Sequence, residues 1–289
     1  MPFQHMLKPG DTITNDELSK IFKCATQGGM RRSHHADALI LISDRTKYLH
    51  QDRWISEAIL HYTGMGLTGD QSIDYRQNKT LRESANNGVT PYLFEVYQPR
   101  RYLFRGNVAL AGQPFEEYQP GMDGKPRTVW VFPLKLIGDA AGYRVPDDLI
   151  ARARRRHERK ARLLSDEELY IMAVHTRRKN PAGLRGAPPL EATNVYVAEL
   201  TRRRAAGICQ LCDRPAPFHD KMDEPYLEHH HIVWKSRGGT DTVDNSVALC
   251  PNCHKKMHIL NLKDDRKKLV GAANKSCCQL TIDGGVVYV

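Results

Sequence analysis

The chain has 289 residues, room for two domains of ~100–200 residues each. Its formal net charge of +10 favours a polyanionic partner, and nucleic acid is the first candidate because neutralised phosphates release counterions. No apolar run reaches the ~18–20 residues of a membrane span and MPFQHMLKPGD lacks a signal-peptide core, so a membrane role is set aside and a cytoplasmic location expected.

Residues 1–140 alternate apolar and polar positions in ALILIS (38–43), PYLFEVYQ (91–98), YLFRGNVALAG (102–112) and RTVWVFPLKLI (127–137). Turn signals separate these runs, which predicts short strands in a curved sheet or barrel. DRWISEAIL (52–60) reads as a short helix or another strand. From 141 to 194 the composition turns to Ala, Arg, Leu and Glu, predicting a basic helical linker. Ser165 and Glu168 form a capping box for a second helix there. RKNPAGLRGAPPLEATN (178–194) is a Pro/Gly-rich connection. Residues 195–270 open with a helix, VYVAELTRRRAAG, and carry the metal-ligand chemistry, and 271–289 end in a predicted hairpin.

Seven cysteines in a reducing compartment read as ligands and free thiols rather than disulfides. Cys209, Cys212, Cys250 and Cys253 form two C-x-x-C pairs, and four soft thiolates suit a structural, tetrahedral Zn²⁺. Cys24, Cys277 and Cys278 fit no ligand spacing and are assigned to structure. YLEHHHIVW is a predicted strand, SRGGTDTVDN a polar loop, and VALCPNCHKKMHIL a short apolar stretch leading into a helix. His254 and His258 are four apart and share a helix face. Facing a histidine-rich strand, they can chelate a second divalent ion, with Lys255 and Lys256 directed elsewhere, toward phosphates.

The order His231-Ile-Val, Asn245 in DNSVALC, and His254 directly after Cys253 resembles the ββα-metal fold of HNH nucleases. Over 207–258 the likeness is to the zinc-containing HNH module of McrA-like restriction endonucleases. The resemblance implies that His231 is the general base and that His230, His254 and His258 bind a catalytic Mg²⁺, Mn²⁺ or other divalent ion. It implies that Asn245 orients the base through the loop backbone. His229 lies outside the motif and is expected to support its neighbours or contact DNA. Glu228 either orients a ligand histidine or is an ordinary polar strand residue.

HYTGMGLTGDQSIDYRQNKTLRESANNGVTPYLFEVYQP (61–99) resembles SRA domains, especially those of modification-dependent restriction enzymes. The resemblance implies a pocket for a cytosine flipped out of duplex DNA, carrying a 5-methyl or 5-hydroxymethyl group. Tyr62 and Thr63 match the family's pocket pair, Asp52 its base-reading aspartate, and Trp54 and Tyr48 are candidate second walls. Gly64, Gly66 and Gly69 are turn residues, since no strand–GxGxxG–helix unit accompanies them. The basic runs Arg152–Arg162, Arg177–Lys179 and Arg202–Arg204 suit phosphate tracking.

The expectation is therefore an α+β protein: an N-terminal β-rich, SRA-like reader, a helical linker, and a C-terminal ββα-metal nuclease stapled by a four-cysteine zinc site. Its partner would be double-stranded DNA with modified cytosine. One HNH site cuts one strand, so cutting both would call for a homodimer or a second binding event. Two rivals stand beside this reading. One is a modified-cytosine reader with an inactive nuclease site, and the other an HNH homing or structure-specific nuclease acting on unmodified DNA.

Overall fold

The chain begins with β1 (Thr12–Ile13) and α1 (Asn15–Phe22). Thr14 caps this helix reciprocally with Glu17, and Leu18 and Phe22, four apart, point into the interior. The computed structural model describes residues 3–47, 52–120, 126–175, 194–277, 280–282 and 285–287. Within them the fold divides into two units, one up to His157 and one from Glu158 onward.

The first unit is built on nine strands. After β1 come β2 (Met30–Ser33), β3 (Ala38–Asp44), β4 (Arg53–Trp54) and β5 (Ile59–Thr63). The short helix α2 (Gln77–Arg82) precedes β6 (Thr90–Gln98), β7 (Arg101–Leu110), β8 (Phe115–Pro120) and β9 (Pro126–Leu136). DRWISEAIL thus resolves into β4 and the first residues of β5, not a helix. The order is β2-β3-β6-β7-β9-β5-β4, with β1 added to β7 and β8 to β9. Only β3 and β6 pair in parallel among these neighbours. Among the described residues the path ends at β2 and β4, so the sheet curves without closing into a barrel.

Period-two alternation gives the sheet two apolar faces. Leu39, Leu41 and Leu93 join Trp54, Leu60, Tyr62, Phe132 and Leu134 on one side. Ala38, Ile40, Ile42, Tyr92 and Phe94 join Leu18, Phe22 and Phe104 on the other. Register shifts between Leu93 and Phe94, and between Glu95 and Gln98, break the β6–β7 ladder and raise its local twist. Gly106 sits in this region at φ +115°, and a Cβ there would collide with Ala140.

Next come α3 (Asp147–Leu163) and α4 (Asp166–His175), the latter opened by the Ser165–Glu168 capping box. The second unit continues with α5 (Val195–Ala205), β10 (Glu228–His231), β11 (Ser246–Leu249), α6 (Pro251–Ile259) and α7 (Lys263–Cys277). Its core joins Cys209, Leu211, Leu227, Ile232, Val247, Leu249, Met257 and Leu269. The terminal hairpin pairs β12 (Leu280–Ile282) with β13 (Gly285–Val287). The Arg202–Arg204 run is used internally. Arg203 donates to the Ala161, Arg162 and Leu164 carbonyls, satisfying the last turn of α3, and pairs with Asp166. Arg202 pairs with Glu199 at 2.8 Å. The Arg177–Lys179 run and most of 178–194 lie outside the described residues. No helix among the described residues is long and apolar enough to cross a membrane.

Candidate metal and nuclease centre

The antiparallel pair β10–β11 sets the geometry of the centre, with His229 opposite Ala248, His230 opposite Val247 and His231 opposite Ser246. Successive side chains on a strand point to opposite faces, so the three histidines separate. His230, 2% exposed, turns toward α6 and packs edge-on against His254 and His258, with ring centroids 5.1 and 5.0 Å away. His229 and His231 turn the other way and pack edge-on against each other at 4.6 Å.

The first group offers three imidazole nitrogens within 4.8 Å of one another. His230 Nε2 is buried and has no hydrogen-bond partner, while His254 Nε2 and His258 Nε2 approach to 3.0 Å. Nδ1 of His254 is paired with Oε2 of Glu228, whose Oε1 accepts from the Tyr226 hydroxyl at 3.2 Å. The Trp234 ring stacks on His258 at 5.6 Å and carries the Arg237 guanidinium 4.5 Å from its centroid. Burial, reinforced by His254, His258 and His231, holds His230 down to about 3, and burial with His254 and Lys255 lowers His258. His230 and His258 are therefore held toward the neutral form, the state in which imidazole binds metal. An orphaned buried nitrogen and two facing Nε2 atoms fit a divalent cation.

The four cysteine sulfurs also lie within 4.8 Å of one another. Tetrahedral thiolates at ~2.3 Å from zinc stand about 3.8 Å apart, so the cluster is the right size for that ion. Pro251 at the first turn of α6 follows Cys250 at its N-cap, and Gln210 clamps the other knuckle to β11 through both Ala248 backbone groups. Burial raises the Cys209 thiol, but amides of Cys212, Cys250 and Leu211 outweigh it and bring it to about 7. Burial and the neighbouring thiols push Cys250 and Cys253 up. The burial and crowding that hold Cys250 and Cys253 up are what a bound cation relieves. Cys24, outside this set, is buried in the first unit, where burial raises its thiol. Cys278 lies outside the described residues.

Asn245 closes the loop between the two strands. Its Oδ1 accepts from Val233 N at 2.8 Å, and its Nδ2 donates to Val233 O at 3.0 Å and Thr240 O at 2.7 Å. Gly239 belongs to the same turn, and a Cβ there would strike the Val233 carbonyl. The closed loop brings in a residue that sequence reasoning missed. Asp241, fully buried, meets His231 Nε2 with Oδ1 at 2.9 Å. Its Oδ2 meets Lys235 Nζ at 3.1 Å and the Asn194 amide at 2.7 Å. Burial would raise this carboxyl, but His231 and Lys235 hold it well below the usual carboxylate range. Lys256 is likewise committed, to Asp265 on α7 at 2.6 Å.

In the first unit, Asp52, Trp54 and Tyr62 are 5%, 4% and 3% exposed, and Thr63 is half-buried. Asp52 Oδ1 accepts from Thr63 N at 2.8 Å, and the Tyr62 hydroxyl donates to the Gly29 carbonyl at 2.8 Å. Trp54 Nε1 donates to Glu95 Oε1 at 2.9 Å. The structure thus gathers these four in one region, while Tyr48 lies outside the described residues. Glu95, missed in the sequence, is fully buried and also receives Arg45 at 3.1 Å, Arg105 at 2.7 Å and the Tyr97 hydroxyl at 3.1 Å.

Residues 9–157 match the family model for the ScoMcrA-like SRA domain, and residues 209–259 match that of the HNH endonuclease. The chain belongs to the ScoMcrA-like SRA family and carries an HNH endonuclease domain in its second unit. It is similar to the type IV methyl-directed restriction enzyme EcoKMcrA of Escherichia coli K12, 52% identical over 103 residues. That match spans 32% of this chain and 37% of the relative. Anaredoxin of Nostoc is 44% identical over 36 residues, 12% of this chain and 47% of the relative. Among solved structures, the type IV phosphorothioation-dependent endonuclease ScoMcrA aligns at TM-score 0.47 and 18% identity, over 93% of this chain and 55% of that one. The modification-dependent endonuclease TagI aligns at 0.36 and 20%, over 89% and 80%.

Proposed function

We propose that this protein is a type IV-like, modification-dependent DNA endonuclease. Its first unit reads 5-methyl- or 5-hydroxymethylcytosine in duplex DNA, and its HNH centre hydrolyses a phosphodiester. The observation that carries the nuclease reading is the set of three converging imidazoles, one with a buried orphan nitrogen, on the strand that also presents His231.

His231 is the general base. It takes a proton from water as that oxygen attacks phosphorus and the bond to the leaving oxygen breaks. Its side chain keeps 13% exposure, enough for solvent to reach one edge. His230, His254 and His258 hold a divalent ion such as Mg²⁺ or Mn²⁺, which when bound neutralises charge on the phosphoryl and leaving oxygens. Cys209, Cys212, Cys250 and Cys253 hold structural Zn²⁺, and Asn245 fixes the loop behind the base. In the first unit, Asp52, Tyr62, Thr63 and Trp54, with Tyr48, form the proposed site for a flipped base. The carboxyl group beside the Tyr62–Thr63 pair supports that reading, and the burial of Trp54 and Tyr62 means that truncating either will lower stability as well as binding.

The test is digestion of matched plasmids carrying cytosine, 5-methylcytosine, 5-hydroxymethylcytosine or its glucosylated form, across a metal series. Cutting should require a modified base and a divalent ion, and His231→Ala should abolish it while sparing DNA binding. Equal cutting of modified and unmodified plasmid refutes modification dependence.

A further inference from the structure

We infer that Asp241 is the positioning residue of the HNH centre: its buried carboxylate holds the Nε2–H of His231 and leaves Nδ1 as the atom that accepts the proton. The inference rests on His231 being the base. An imidazole can serve as a base only through its unprotonated nitrogen, so the partner of the other nitrogen decides which atom does the chemistry.

The hydrogen-bond pattern fixes that choice. Asp241 Oδ1 lies 2.9 Å from His231 Nε2, and its Oδ2 receives the Lys235 ammonium at 3.1 Å and the Asn194 amide at 2.7 Å. A carboxylate in that company has no proton to offer, so Nε2 is the donor. The lone pair of the neutral ring then sits on Nδ1. The neighbour on the same strand face obeys the same bookkeeping. Ser246 Oγ gives its single proton to the Thr242 carbonyl at 2.7 Å, so His229 Nε2, 3.0 Å away, must donate to Ser246. His229 is thereby pinned with its ring perpendicular to His231, at 90° and 4.6 Å, and walls one side of it.

The same geometry accounts for Asn245. Its Nδ2 grips the carbonyl of Thr240, the residue next to Asp241, and its other bonds lock Val233 across the loop. Asn245 therefore acts at one remove, by delivering Asp241 to His231. By distance alone His229, His231 and Asp241 also form a candidate cation group, with ligand atoms within 4.8 Å. The Lys235 ammonium already supplies the positive charge on that carboxylate.

The test uses the full-length, zinc-loaded protein under single turnover on modified DNA. Asp241→Asn preserves the shape but removes the charge that favours the Nε2–H tautomer. Assayed below its melting temperature, which losing the charge opposite Lys235 lowers, the variant should cleave roughly 10²–10⁴-fold more slowly, with DNA affinity and zinc content unchanged. Cleavage within about threefold of wild type for Asp241→Asn overturns the inference. ¹⁵N spectra of the wild-type protein give a readout that needs no variant to fold. The His231 signals, assigned by their absence in His231→Ala, should show a protonated Nε2 and a bare Nδ1, and the opposite tautomer overturns the proposal. If His231→Ala itself cuts normally, the base assignment has failed. If it is dead while Asp241→Asn is not, only the positioning role has failed.

Discussion

The Glu228 carboxylate pairs with Nδ1 of His254, the ring whose Nε2 faces His258 3.0 Å away. With Nδ1 carrying the proton, Nε2 is held as a lone-pair donor aimed at the His230–His258 cluster. Glu228→Gln keeps the size of the side chain but loses the charge that makes His254 a stronger donor. The expected outcome is metal affinity about 10–100-fold weaker, read by Mn²⁺ or Co²⁺ titration, with zinc at the cysteines retained. Unchanged affinity would show the contact to be incidental.

The four-cysteine cluster should govern the second unit alone. Cys209 is fully buried within the core that also holds Leu211, Val247 and Met257, so its ligation and its packing are one event. Cys209→Ser should cost on the order of 10 kcal/mol of metal-linked folding free energy. Zinc stoichiometry should fall to zero, with hydrogen exchange rising across 205–273 while the sheet of the first unit stays protected. Loss of protection in both units would contradict the division of the chain.

Asn245 offers a sharper comparison than a simple deletion. Its Nδ2 donates to two carbonyls, Val233 O and Thr240 O, and its Oδ1 accepts from Val233 N. Asn245→Ala takes the partner from three part-buried backbone contacts, at ~1–3 kcal/mol for each group that finds no water. Asn245→Asp puts a carboxylate oxygen against two carbonyl oxygens and should be the worse of the two, although it is closer in shape. A melting series with cleavage rates checks the order, and a milder aspartate variant would refute the donor assignment.

The candidate centre was readable in the sequence because its parts are local. Strand alternation separates His230 from His231, and the i, i+4 rule puts His254 beside His258, so spacing alone places four of the side chains. Asp241 was not readable. In SRGGTDTVDN it looks like any turn-forming polar residue, and its partners His231 and Asn194 are known only once the loop closes. Glu95 hid for a related reason. A charge inside PYLFEVYQ reads as the solvent side of a strand, yet it is fully buried, because Arg45 and Arg105 come from other strands or loops to meet it. The Arg203 side chain escaped in the opposite sense, since a basic run looks like a phosphate-binding face until the end of α3 claims it. Sheet order carries the same lesson: the parallel β3–β6 pair depends on long-range register that no local pattern encodes.

Asp52 makes the stability of the first unit depend on pH. Burial pushes its carboxyl up to about 7, against the pull of the Thr63 amide and Arg45, whereas an unfolded aspartate ionises near ~3.9. The folded state therefore binds the extra proton across that window. Its stability contribution is fully present at the acid end and is lost as pH rises through about 7. Asp52→Asn keeps an Oδ1 acceptor for Thr63 N and removes the titration. Near pH 4 the variant should match the wild type, and by pH 8 it should be the more stable protein, by on the order of 4 kcal/mol at ~1.4 kcal/mol per unit of the gap. Other groups have their own slopes. His61, lowered to about 4 by burial, adds stability as pH rises toward its unfolded value, and Glu95, held low by Arg105 and Arg45 despite its burial, loses stability only in acid. His61 cancels in the difference between variant and wild type, and Glu95, although its charge helps raise Asp52, changes only at the acid end, so the quantity to measure is the gap in melting temperature from pH 4 to 8. A gap that stays constant, or that favours the wild type at pH 8, would show that Asp52 is ionised in the folded protein throughout the range.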